Sequence, residues 1–124
     1  MYTLSIKVDF PAAHQIHGYN GDCARPHGHN WVVEVEVESS ALDEIGMGVD
    51  FRLMKKAAQE TIAAWDHQDL NRLPDFEGMN PTAENVARVA WNKLEPLLTR
   101  GVSRLVRVTV HENDRCRASY RKPS

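Results

Sequence analysis

His27-Gly28-His29-Asn30-Trp31-Val32-Val33-Glu34-Val35-Glu36-Val37-Glu38 is the stretch that decides the fold. From Asn30 onward apolar and polar residues alternate, the period of a β-strand with one face in a core. Trp31, Val33, Val35 and Val37 form the inward set, and Glu34, Glu36 and Glu38 the outward one. His27 and His29 share the parity of the inward set, so both rings are expected on the core side where the strand begins. Two imidazoles at i and i+2 can converge on one ion.

Upstream, residues 2–10 alternate in the same way, with Leu4, Ile6, Val8 and Phe10 on one face. Pro11 removes a backbone donor and is expected to end regular pairing or to lie at an edge. His14 continues the even parity of Leu4 to Phe10. Residues 15–26 hold Gly18, Asn20, Gly21, Asp22 and Pro26, which is loop chemistry. The two strands are therefore expected to pair as an antiparallel hairpin with a long connection. Three imidazoles would then meet near its end.

Downstream, Asp50 is placed to cap a helix over residues 51–65, with Met54, Ala57, Ala58, Thr61, Ile62 and Trp65 at helical spacing. A loop with Pro74, Gly78 and Pro81 follows. Thr82 reads as the N-cap of a second helix to about Leu98, burying Val86, Val89, Ala90, Leu94 and Leu97. Gly101 stops it. Residues 104–112 alternate with Val106, Val108, Val110 and Glu112 on one face, and residues 116–121 with Cys116, Ala118 and Tyr120. The order β-β-α-α-β-β predicts an α+β domain.

The chain has 124 residues, the size of one domain spanning 1–124. Hydrophobic residues are 42% and charged residues 26%, which allows a real core. Fifteen Lys plus Arg against 17 Asp plus Glu leave a net charge of −2, which argues against nucleic acid or an anionic membrane as partner. No run of about 18 apolar residues spans a bilayer. Lys7 and Asp9 interrupt the apolar stretch that a secretory signal would need. A cytoplasmic, reducing location is expected, with Cys23 and Cys116 as separate thiols.

Three neutral imidazoles at His14, His27 and His29 are what a catalytic zinc requires, with a fourth position left for water or substrate. Gly28 between them would let the backbone pass close to a ligand. Cys23, four residues before His27, fits two roles. As a fourth ligand it would close a structural zinc site; beside the metal it would be a reactive thiolate. Against a buried inert thiol, its Gly- and Asp-containing loop favours reactivity. Cys116, at a core-facing parity, reads as a packing residue. Asp66-His67 can form an acid–base pair in which the carboxylate orients the ring. Glu112, on the parity of three inward valines, either emerges into solvent or accepts two parallel N–H bonds from a guanidine-like heterocycle edge. His17 and His111 read as solvent-facing or loop residues. No glycine-rich phosphate loop or serine elbow is present.

As a set these residues resemble the 6-pyruvoyltetrahydropterin synthase superfamily. The matching pieces run in its order along nearly the whole chain: Phe10-Pro11-Ala12-Ala13-His14, Cys23-Ala24-Arg25-Pro26-His27-Gly28-His29-Asn30, Val49-Asp50-Phe51 with Leu53-Met54-Lys55, Asp66-His67-Gln68-Asp69-Leu70-Asn71, Asn80-Pro81-Thr82-Ala83-Glu84-Asn85, and Glu112 after a valine-rich strand. The resemblance implies the tunnelling fold, an antiparallel sheet with two helices on one face. It implies trimers that stack as a hexamer, with active sites between subunits. It makes His14, His27 and His29 the ligands of Zn2+, Cys23 the general base, and Asp66 and His67 its partners in proton transfer. Glu112 would anchor a pterin, with Glu84 and Thr82 contributing from a neighbouring subunit.

The Cys-x3-His-Gly-His spacing is similar to the 6-carboxytetrahydropterin synthase branch, which serves queuosine biosynthesis. Members of that branch convert 7,8-dihydroneopterin triphosphate to 6-carboxy-5,6,7,8-tetrahydropterin, releasing acetaldehyde and triphosphate. Gln68 and His111 depart from the family pattern, where a His and a Lys are common. Two alternatives stand beside this expectation: a 6-pyruvoyl-forming lyase on the same scaffold, and a non-catalytic protein with a structural zinc.

Overall fold

The computed structural model describes residues 1–21 and 24–123. Its elements in chain order are β1 (Tyr2–His14), β2 (His27–Ser39), α1 (Phe51–Ile62), the two-residue β3 (Gln68–Asp69), α2 (Ala83–Leu98), β4 (Ser103–His111) and β5 (Arg117–Tyr120). Two 3-10 turns, Leu70–Arg72 and Pro74–Phe76, lie between β3 and α2. The sheet order is β3-β1-β2-β4-β5. β1, β2, β4 and β5 pair antiparallel, and β3 runs parallel to β1. The expected β-β-α-α-β-β order is present, with β3 as an addition too short to carry a hydrophobic period.

Alternation decides which face of the sheet is covered. Trp31, Val33, Val35 and Val37 of β2 are fully buried, as are Phe10 of β1 and Val108 and Val110 of β4. They share one core with Met54, Ala57, Ala58 and Ile62 of α1 and Val86, Ala87, Ala90 and Leu94 of α2. Phe10 stacks on Trp31 with ring centroids 6.3 Å apart. Asp50 caps α1 by accepting from Arg52 N at 2.8 Å, and Thr82 caps α2 by accepting from Asn85 N at 3.1 Å. Neither helix is long and apolar enough to cross a membrane.

Several local expectations change. β1 continues through Pro11 to His14. Pro11 sits where its missing N–H is not needed: its carbonyl faces the edge away from β2 and accepts from His67 N at 2.7 Å. Helix α1 ends at Ile62, yet Trp65 in the following turn is still fully buried, its Nε1 donating to Asp75 Oδ2 at 2.8 Å. A register shift opposite Glu36 and Val37 makes Val106 the extra residue of β4, so Leu105 is buried and Val106 is not. In α2, Val89 and Leu97 are only half-buried, while Ala87, Trp91 and Leu98 complete the apolar face. Cys116 is exposed rather than packed, because β5 begins only at Arg117.

Candidate metal centre and its surroundings

The antiparallel register sets His14 opposite His27 and Ala12 opposite His29. All three histidines carry the inward parity of their strands, so the rings gather where the core opens at the hairpin end. Ring centroids are 4.4 Å apart for His14–His27, 4.8 Å for His27–His29 and 5.1 Å for His14–His29. One ligating nitrogen from each ring lies within 4.8 Å of the other two. The floor beneath them is Trp31, whose ring meets His14 edge-on at 4.8 Å and whose Nε1 donates to Ala12 O at 3.2 Å.

The tautomers follow from the partners. His14 Nδ1 lies 2.7 Å from Pro81 O, and His27 Nδ1 lies 2.7 Å from Arg25 O. A carbonyl only accepts, so Nδ1 carries the hydrogen in both rings and Nε2 presents a lone pair. His14 Nε2 and His29 Nε2 are buried and have no hydrogen-bond partner among the described residues. Burial lowers the proton affinity of His14 and of His29, and the nearby charge of Glu112 opposes this for both. The rings are thus held toward the neutral form that a metal needs. Buried lone pairs are normally satisfied, and two left open side by side are a donor set awaiting a cation. The residues fit a zinc ion with three nitrogen ligands.

The other candidate residues are distributed around this centre. Glu112, just after β4, is half-exposed, and its N–H donates to Cys116 O at 3.1 Å to close the β4–β5 hairpin. It lines a recess of ≈ 260 Å³ together with Glu84, Ala83 and Arg117. It lines a second, of ≈ 410 Å³, with His29, Lys7 and His111. Thr82 uses its hydroxyl oxygen to cap α2. Asp66 and His67 form their own pair, Oδ1 to Nδ1 at 2.8 Å, on an exposed turn. His67 has φ +59°, an uncommon conformation for a residue with a Cβ. The pair makes no hydrogen bond to the histidine cluster, although His67 and His29 line one recess of ≈ 550 Å³. Cys23 lies outside the described residues. Among the described residues, a Cβ added at Gly28 would meet only Ala12 O, at 3.8 Å, so none of them forbids a side chain there.

Sequence reasoning missed the carbonyls of Pro81 and Arg25, which no side-chain motif announces. It also reads His111 as a solvent-facing or loop residue. His111 is half-buried against Glu34, Nε2 to Oε1 at 3.4 Å. Their cross-strand position, Val32 opposite His111, follows only from the β2–β4 register.

The chain is similar to known proteins along almost its whole length. The profile of the family described as 6-pyruvoyl tetrahydropterin synthase matches residues 3–123. The chain is 32% identical over 115 residues to 6-carboxy-5,6,7,8-tetrahydropterin synthase of Rickettsia typhi, covering 79% of this chain and 83% of that one. It is also 32% identical over 125 residues to human 6-pyruvoyl tetrahydrobiopterin synthase, covering 90% and 85%. The structure of Caenorhabditis elegans 6-pyruvoyl tetrahydropterin synthase superposes with a TM-score of 0.86 at 27% identity, covering 98% of this chain and 96% of that one. With its tunnelling fold and a match along almost its whole length, the chain belongs to the 6-pyruvoyl tetrahydropterin synthase family.

Proposed function

We propose that this chain is a zinc-dependent 6-carboxy-5,6,7,8-tetrahydropterin synthase acting on 7,8-dihydroneopterin triphosphate. The observation that carries the reading is the pair of buried, unpartnered nitrogens, His14 Nε2 and His29 Nε2, gathered with His27 at one point. His14, His27 and His29 would hold the zinc, which when bound supplies Lewis-acid polarisation to oxygens of the substrate side chain.

The remaining steps fall to the chain's own residues. Cys23 takes the proton made acidic beside those oxygens. His67, its Nδ1 held by Asp66, offers Nε2 as the second proton carrier. Glu112 accepts two parallel N–H bonds from the pterin edge, and Glu84 beside it in the same recess, with Thr82, completes that end. Such anchoring makes the proton transfers effectively intramolecular. His67 shares a recess with His29 without a hydrogen bond to the histidines, and a second copy in a trimer or hexamer would complete the site.

The test is incubation of the zinc-loaded protein with 7,8-dihydroneopterin triphosphate and mass analysis of the products. Acetaldehyde with 6-carboxytetrahydropterin is the expected result. A 6-pyruvoyl product without acetaldehyde would shift the reading to the other branch, which the likeness to the human and nematode proteins favours. No turnover with zinc fully bound would favour a structural metal.

A further inference from the structure

Among its described residues, the connection from β1 to β2 holds one internal backbone hydrogen bond, Ala24 N to Gly21 O at 3.1 Å. Gly18 and Gly21 have positive φ, and Tyr19 is exposed. Its first residues are nevertheless tied by two side chains that behave as strand backbone. Asn71 Oδ1 accepts from Gln15 N at 2.7 Å, and Asn71 Nδ2 donates to Gln15 O at 2.9 Å. Asn80 repeats this at His17, accepting from His17 N at 2.9 Å and donating to His17 O at 2.9 Å.

Alternate residues of an extended chain offer their polar groups to the same edge. Pro11, Ala13, Gln15 and His17 are such a series. Pro11 is met by His67 N and Ala13 pairs with Asp69, so the two carboxamides extend the β3 edge beyond where backbone can.

Both clamps lead on to the metal-binding rings. Gln15, held by Asn71, donates from Nε2 to Ala24 O at 2.7 Å, next to Arg25 whose carbonyl orients His27. Asn80 precedes Pro81, whose carbonyl orients His14, and Asn80 O is itself fixed by Asn85 Nδ2 at 2.8 Å.

We propose that Asn71, Asn80 and Gln15 are positioning residues that fix the two described ends of the β1–β2 loop, residues 15–17 and Ala24–Arg25, beside the histidine centre. The inference deepens the reading above and rests on it for turnover, since that loop carries the proposed base Cys23. The chemistry needs a proton acceptor at a fixed place, and side-chain bonds, half-buried at Asn71 and Gln15 and exposed at Asn80, anchor the ends of the loop that carries it in sequence.

The test compares wild type with Asn71→Ala, Asn80→Ala, Gln15→Ala and the shape-preserving Asn80→Asp, each as the full chain. Amide hydrogen exchange is followed in the metal-free and zinc-loaded forms, with zinc content and steady-state kinetics on 7,8-dihydroneopterin triphosphate. Asn71→Ala and Asn80→Ala, each losing a pair of hydrogen bonds, are expected to speed exchange in residues 17–25 about tenfold, and Gln15→Ala, losing a single bond, to speed it less, while β2, α1 and α2 keep their protection. Zinc stays bound, kcat falls about tenfold or more, and KM changes less than about threefold. Asn80→Asp, which keeps one of the two bonds, should lie between wild type and Asn80→Ala. Unchanged exchange in the loop, or exchange accelerated equally throughout the sheet, overturns the proposal. If wild type itself does not turn over this pterin, the functional reading falls. The exchange arm then decides the clamps alone: faster loop exchange upholds them and unchanged exchange rejects them.

Discussion

The two ends of β2 treat polar atoms in opposite ways. Toward Ser39, each outward glutamate meets a cation across the strand: Arg107 donates from Nε and Nη2 to Glu36, and Arg104 lies 3.8 Å from Glu38. Toward His27, the buried Nε2 atoms of His29 and of His14 on the paired strand have no hydrogen-bond partner among the described residues. The first arrangement is complete without a ligand and contributes to framework. The second is a set of desolvated lone pairs, tolerable because a neutral imidazole costs less to bury than a charge and because each missing bond can be made by an ion. One strand thus separates structure from function along its length.

Removing a ring from the open end should break the contrast most severely. His29→Ala is expected to weaken zinc binding at least about a hundredfold while the fold remains, as metal analysis and circular dichroism would record. Glu112→Gln keeps the shape of the side chain but loses the charge that accepts paired donors. KM for the pterin should rise roughly tenfold to a hundredfold with zinc content unchanged, read from steady-state kinetics.

At the framework end the readout becomes stability. Val35 is fully buried, and Val35→Ala should cost about 2 kcal/mol in denaturant unfolding without altering metal affinity. Arg107→Ala removes a pair whose arginine is substantially solvated, so about 0.5 kcal/mol or less is expected, shrinking further in high salt.

A further effect, read only through its pH dependence, concerns Asp50. The Arg52 N–H it accepts as helix cap holds its carboxyl below the usual aspartate value. A depressed folded value means the cap's contribution is full above about pH 4 and is lost as pH falls through that lower value. The difference in melting temperature between wild type and Asp50→Ala should therefore be present at pH 6 and vanish in stronger acid.

These contrasts also show how far the residues could be read before folding. Strand β2, the inner valines, both caps and the histidine parity were legible because burial follows local periods of two and 3.6 residues. Local periods do not register bulges. Alternation alone puts Val106 inward and passes over Leu105, because the shift opposite Glu36 and Val37 depends on how β4 pairs with β2. Cys116 was assigned to the core by extending a pattern past the end of a four-residue strand.

What the chain's own order of residues determined is the inventory: three imidazoles on inward parity, a carboxylate after a valine-rich strand, and two capped amphipathic helices. Only tertiary structure decided what those groups face. Pro81 and Arg25 carbonyls choose the tautomers of His14 and His27, and Asn71 and Asn80 stand in for a missing strand edge. The clamps join residues more than 50 positions apart. Backbone carbonyls look alike in every residue, and a carboxamide's partner depends on which distant segment the packed core brings alongside, so neither leaves a trace in local spacing.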